Sequence, residues 1–349
     1  MRAGTRRIEP LVKRTLAFDW SRAQPGAALL CLPAVALSLA AGAAVGRPRV
    51  GIMAAAGAFS VGLGSFQQIR GSRRLPMLVA AVGICLSSWI GTLAGLSPAL
   101  TIALTGLWGA ACGLAWASSP GASWLALQCL IWLVISTAYP AHGTLALVRG
   151  SCALAGGLLQ MLVVSTAWRV AGRIPGPASP VAAPAGNTNR ARAWRAAHAG
   201  IVLAVSMGLA RVVGLANSYW IPMTAAIVTR PAFRQTLERG VARTAGTLAG
   251  AALATLAAWA IHPNPLAVSG LVLLFAAASY VLVFVNYAAF VATLTAYVVF
   301  LLALAGAAER TVVVHRAVCT LLGAGVAWLG HALFDGVERA VAADHPARD

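Results

Sequence analysis

The sequence predicts an all-α integral membrane protein of about twelve transmembrane segments, arranged as two parallel six-segment repeats. Three observations carry that expectation. Of the 349 residues, 60% are hydrophobic and 10% charged, with a mean hydropathy of +0.81, whereas about a quarter of the residues in soluble domains are charged. Apolar runs recur along the whole chain at lengths near the roughly 20 residues that a helix needs to cross a bilayer. Finally, one offset of 167 residues relates separated parts of the two halves. It pairs Arg149 with Arg316, Cys152 with Cys319, Leu154 with Leu321, Gly156 with Gly323 and Leu162 with Leu329, and equally Phe66 with Phe233 and Gln68 with Gln235.

Taken in order, residues 1–26 read as an amphipathic N-terminal segment. Ile8, Leu11, Val12, Leu16 and Trp20 share a face of a surface helix, with Lys13 and Arg14 towards headgroups. The length of this leader, with Glu9 and Asp19 inside it, argues against a cleavable signal. The first repeat, 27–170, holds segments beginning near Ala27, Val50, Leu75, Ala99, Ala122 and Leu145. A linker, 171–195, has Pro175, Pro177, Pro180 and Pro184 among alanines and glycines and reads as a flexible tether. The second repeat, 196–335, begins segments near Ala197, Ser218, Val241, Leu266, Phe284 and Thr311, and a tail, 336–349, follows.

With that count, the N-terminus, loop 67–74, the linker counted from Arg169 to Arg195, loop 230–243 and C-terminus share one side and hold 20 of the 26 Lys and Arg residues. The other side keeps Arg47, Arg49, Arg149, Arg211, Arg310 and Arg316. The positive-inside rule places both termini in the cytoplasm. A formal charge of +18 suggests nucleic acid in a soluble domain, but here the cations sit between apolar runs and set topology. Cys31, Cys85, Cys112, Cys129, Cys152 and Cys319 lie in apolar runs with no CxxC spacing, which indicates neither disulfides nor a metal site.

Residues 218–229 are uncharged but too short to span, and Pro222 inside them with Arg230 and Pro231 at their end breaks the helix. The corresponding segment of the first half, 50–66, is interrupted by Gly51, Gly57, Gly62 and Gly64. Paired short or interrupted segments point to a transport pathway, which pseudo-twofold halves place between them.

The stretch Tyr219-Trp220-Ile221-Pro222-Met223-Thr224, then Arg230-Pro231-Ala232-Phe233, Thr236-Leu237-Glu238-Arg239-Gly240 and Arg243-Thr244-Ala245-Gly246-Thr247-Leu248-Ala249-Gly250, resembles the fusaric acid resistance protein-like (FUSC) family. Asn286-Tyr287-Ala288-Ala289-Phe290 matches the family's later helix. The resemblance covers about 197–334 and is weaker over the first half. It implies an exporter of aromatic acids in the bacterial inner membrane, and a more distant similarity to aluminium-activated malate transporters implies an anion channel. Longer members carry a cytoplasmic domain that these 349 residues do not contain. A homodimer is the assembly that the resemblance implies, and a periplasmic efflux adaptor is a partner that export admits.

Trp220 and Tyr219 are candidates for stacking on an aromatic substrate, or for interfacial anchoring. Thr224, with amides freed by Pro222, suits a carboxylate at a helix start, or the kink serves packing alone. Arg149 and Arg316 lie inside apolar runs and either attract an organic anion bidentately or snorkel to headgroups; Arg211 has the same two readings. Arg230, Arg234, Arg239 and Arg243 crowd the cytoplasmic end of the broken segment as an anion-gathering mouth or as topology charges, with Glu238 at i,i+4 from Arg234. Asn286, in the apolar run 281–304, bonds another helix or lines a cavity.

Catalytic triads, phosphate loops and metal-ligand clusters are missing from the sequence, so no enzyme, cofactor or metal is expected. All eight acids lie in loops, tails or span ends, which leaves no buried carboxylate for a proton relay. Proton coupling would fall to His198, His315 or His331. Besides the exporter, two readings stay open: an anion channel, and a non-transporting scaffold subunit of an efflux assembly.

Overall fold

A computed structural model describes residues 17–171, 188–260 and 264–343. It shows twelve α-helices: α1 Pro25–Ala44, α2 Pro48–Gly62, α3 Arg74–Ala94, α4 Pro98–Ala115, α5 Pro120–Thr137, α6 Gly143–Ala171, α7 Asn189–Val213, α8 Trp220–Val228, α9 Phe233–Ala260, α10 Pro265–Leu282, α11 Tyr287–Leu304 and α12 Glu309–Ala343. Eleven are long and apolar enough to cross a membrane; α8 is not among them. The all-α, multi-span expectation holds. Residues 1–16 of the expected surface helix, most of the linker (172–187) and the last residues of the tail lie outside the described residues, while Trp20, expected on that helix, stands in a short 3-10 turn, Trp20–Arg22. Helix α7 starts at Asn189, inside the expected linker, and α12 runs on to Ala343, inside the expected tail.

The starts of these helices are written locally. Pro25, Pro48, Pro98, Pro120 and Pro265 each open a helix, where the missing N–H costs nothing and φ is already helical. Ser97, Ser119, Thr188, Asn264 and Asn286 cap α4, α5, α7, α10 and α11 by accepting from the amide three residues on. Four of these caps fall into pairs at the 167-residue offset, Ser97 with Asn264 and Ser119 with Asn286, and Pro98 pairs with Pro265 in the same way. The α2–α3 loop turns through Arg70 and Gly71, both at positive φ, between the bridged residues Ile69 and Ser72.

Helix pairing recurs at the same interval. In the first half α1 packs on α2 and α6, α2 on α6, α3 on α5 and α6, and α4 on α5; the second half repeats this as α7 on α8 and α12, α8 on α12, α9 on α11 and α12, and α10 on α11. Between the halves the contacts are reciprocal: α4 meets α7 as α10 meets α1, and α5 meets α8 as α11 meets α2. Close approach within a half depends on small residues, as membrane helices require. A Cβ on Gly156 would enter the α2 backbone at Ala54, and one on Gly323 would lie 2.8 Å from Thr224 Cβ and run into the Ile221 carbonyl on α8.

The expectation of a pathway between the halves does not match how that interface is filled. Phe59 of α2 stacks on Tyr297 of α11, with ring centroids 4.4 Å apart, and packs against Tyr280 of α10. The Tyr280 hydroxyl donates to the Phe59 carbonyl at 2.9 Å. All three rings are buried. The buried charges lie elsewhere, inside the second half.

Candidate functional site

Helix α7 ends at Gly214, a left-handed cap at φ 62°, and the chain turns through residues 215–219 before α8 begins. Helix α8 has 9 residues, all of them buried, and at 1.5 Å per residue it is about 14 Å long, half of a bilayer core. The break therefore precedes Pro222. That proline stands in the first turn of α8, where it removes no helical hydrogen bond. The amides expected to be free for a carboxylate are taken: Trp220 N–H donates to Asn217, Ile221 N–H to Ser218 and Met223 N–H to Tyr219. Thr224 is fully buried, and its hydroxyl has no hydrogen-bond partner among the described residues.

At its far end α8 is tied down by polar side chains. Arg239 Nε donates to the Ile227 carbonyl at 3.2 Å, a cation at a helix C-terminus. The Arg230 amide donates to Thr236 Oγ1 at 2.9 Å, and His331 Nε2 lies 2.8 Å from the Arg230 carbonyl and 3.0 Å from Thr236 Oγ1. The His331 ring meets His198 edge-to-face, centroids 4.5 Å apart, so two of the three histidines singled out in the sequence share one cluster. His315 lies on α12 at the opposite end.

Beside this loop an open cleft of about 520 Å³ is lined by Arg22, Arg230, Gln235, Arg239, Asn286 and Tyr287, among others. The Arg239 guanidinium lies over the Tyr287 ring at 4.1 Å. Asn286 lines the cleft; its Oδ1 caps α11 and its Nδ2 donates to the carbonyl of Ala17, which lies outside any helix, at 2.8 Å. Burial, and then the like charge of Arg239, draw Arg230 down to about 9, where it keeps its proton at neutral pH. Arg234 is turned to the surface, 3.1 Å from Glu238, in the expected i,i+4 pair.

Arg243, expected at this mouth, lies deeper. One helical turn beyond Arg239 on α9, it is 2% exposed and its Nε has no partner among the described residues. Deeper still, on α12, Arg316 is also 2% exposed; its Nε donates to Thr295 Oγ1 at 3.3 Å, and its Nη1 has no partner among the described residues. Its guanidinium carbon is 5.1 Å from the centre of the Trp220 ring. Trp220, 1% exposed, is thus neither a lipid-facing anchor nor an open stacking platform but the neighbour of a buried cation.

The other two arginines expected near a pathway are placed differently. Arg149, equivalent to Arg316 by offset, is half-buried at the opposite end, donates to the Tyr139 carbonyl and lies over the Tyr139 ring at 5.7 Å. Tyr139 in turn meets Tyr219, centroids 6.4 Å apart. Arg211 is exposed, and its Nη2 donates to Thr101 Oγ1 on α4 at 2.8 Å. Sequence reasoning missed Arg22, Thr247, Thr295 and Tyr287. Thr247 carries a signal that was available, because Arg239, Arg243 and Thr247 recur at i, i+4, i+8 on one face of α9. Thr295 carries none, since an isolated threonine in an apolar helix reads as packing.

Residues 203–330, from within α7 to within α12, match the family model described as fusaric acid resistance protein-like, which is the family that the motif residues resemble. Comparison with curated proteins and with solved structures gives no match.

Proposed function

We propose that the chain carries small organic anions across a bacterial inner membrane, with aromatic carboxylates as the substrate class and export as the direction. The observation that carries this reading is the series of guanidinium groups at Arg230, Arg239, Arg243 and Arg316, leading from an open cleft into the interior of the second half. No Asp or Glu occurs between Glu238 and Glu309, or between Glu309 and Asp335. Intramembrane charges are expensive and mark ion pathways when they face the interior of a bundle. Beyond Glu238, which lines the cleft, the series meets no acid, which favours anions over cations, and guanidinium suits carboxylate. The family match over 203–330 supports the transport class. The cation-rich end faces the cytoplasm in this reading, because it gathers most of the Lys and Arg residues. The recurring caps and pairings support descent from a duplicated six-helix unit.

The lack of any carboxylate beyond the span ends favours a second reading of the mechanism, passive anion conduction rather than proton antiport. Reconstitution into proteoliposomes tests both. Carboxylate flux lost in Arg316→Gln and kept in Arg149→Gln supports the pathway, and no carboxylate flux from folded wild-type protein contradicts it. Dependence of that flux on an imposed pH gradient would speak against passive conduction.

A further inference from the structure

The interior end of the arginine series has features that the transport of an organic acid does not require. Arg243 on α9 and Arg316 on α12, two helices packed on each other, are both 2% exposed, and the charge of Arg243 acts on Arg316. Among the described residues, the groups facing them are neutral or positive. Trp220 and Tyr219 approach Arg316 from the start of α8 and Thr295 from α11; the Tyr287 hydroxyl of α11 interacts with Arg243, and Tyr287 and Arg239 both line the cleft. Arg243 Nε, Arg316 Nη1 and the hydroxyls of Thr224 and Thr247 are buried without a hydrogen-bond partner among the described residues. Two desolvated cations with unused donors are costly unless a negative charge joins them.

The space also limits what that charge belongs to. Trp220, 1% exposed, covers Arg316, and α8 and α12 touch so closely that a Cβ on Gly323 would lie 2.8 Å from that of Thr224. With α8 and α12 packed as they are, an aromatic ring has no place between them, and an aromatic carboxylate passes Arg316 only when the two helices part, whereas a compact anion needs only donors such as guanidinium N–H and threonine hydroxyls. We propose that the Arg243–Arg316 cluster binds one small inorganic anion of halide size, which remains as a counter-ion within the pathway. The inference rests on the anion-transport reading only in sharing its residues, and its test separates the two.

The experiment uses the full chain purified in detergent, dialysed against radiolabelled chloride, with thermal unfolding followed in chloride, bromide and gluconate at equal ionic strength. The expected result is about one bound chloride per chain. Halides should also raise the unfolding midpoint over gluconate by roughly 3 °C or more. That increment should vanish in Arg243→Gln and Arg316→Gln and persist in Arg149→Gln and Arg211→Gln. An increment that survives in Arg316→Gln, or a wild-type protein with no bound chloride and equal midpoints in chloride and gluconate, overturns the proposal. Where the arginine variants do not fold, wild-type dialysis decides alone. Carboxylate flux in halide-free gluconate without halide binding would remove this inference and leave transport standing; halide binding without carboxylate flux would do the reverse.

Discussion

Arg316 and Trp220 face each other across the α8–α12 contact, the guanidinium carbon 5.1 Å from the ring centroid and each side chain no more than 2% exposed. Cation–π attraction strengthens when both partners are desolvated, so this pair couples the short helix to the deepest charge of the series. Arg316→Gln should lower carboxylate flux at least about tenfold, equivalent to about 1.4 kcal/mol of barrier. Arg149→Gln should stay within about twofold, because its guanidinium is engaged at the opposite end with Tyr139. Initial rates from proteoliposomes holding equal amounts of protein decide this.

Trp220→Ala removes a side chain that fills the α8 interface, and loss of a buried aromatic costs about 3–5 kcal/mol. The unfolding midpoint and the flux should therefore fall together. Trp220→Phe keeps the ring face beneath Arg316 and should recover most of both. Full stability in Trp220→Ala would show that this side chain is not packed as described.

Gly323 and Gly156 stand at equivalent positions, yet only Gly323 supports the helix beside the arginine series. Gly323→Val and Gly156→Val should both lower the unfolding midpoint, since each new branch meets backbone on the facing helix. At a temperature where both variants are folded, Gly323→Val alone should reduce flux.

Orientation is tested at the α2–α3 turn. Arg70 and Gly71 form its exposed tip, at the end that holds most of the Lys and Arg residues. Asn264, which caps α10, lies at the opposite end. In a background without native cysteines, Gly71→Cys should react with an impermeant maleimide only in inside-out vesicles. Asn264→Cys should react only in right-side-out vesicles. The reverse pattern would invert the topology.

How far the sequence could be read follows from the range over which each signal acts. Segment existence was legible because hydropathy over some 20 residues is a local property, and the caps and N-terminal prolines are local too. The short segment 218–229 was visible as length, but its cause was misplaced: Pro222 drew attention, whereas Gly214 and the turn after it make the break. A proline breaks a helix only beyond its first turn, and where that turn begins depends on tertiary structure. Likewise Arg243 and Arg239 looked alike in a basic cluster, and Arg149 and Arg316 looked alike by offset. Their different burial is set by which helix faces them, a long-range fact that single residues do not carry. The aromatic filling of Phe59, Tyr280 and Tyr297 between the halves was hidden for the same reason.

The central claim, that an arginine series in the second half conducts organic anions, is tested most directly by flux of a panel of aromatic and aliphatic carboxylates from proteoliposomes, with wild type, Arg316→Gln and Arg149→Gln side by side. The account predicts carboxylate flux in wild type and Arg149→Gln and its loss in Arg316→Gln. Equal flux in all three folded proteins, or none in wild type, would contradict it.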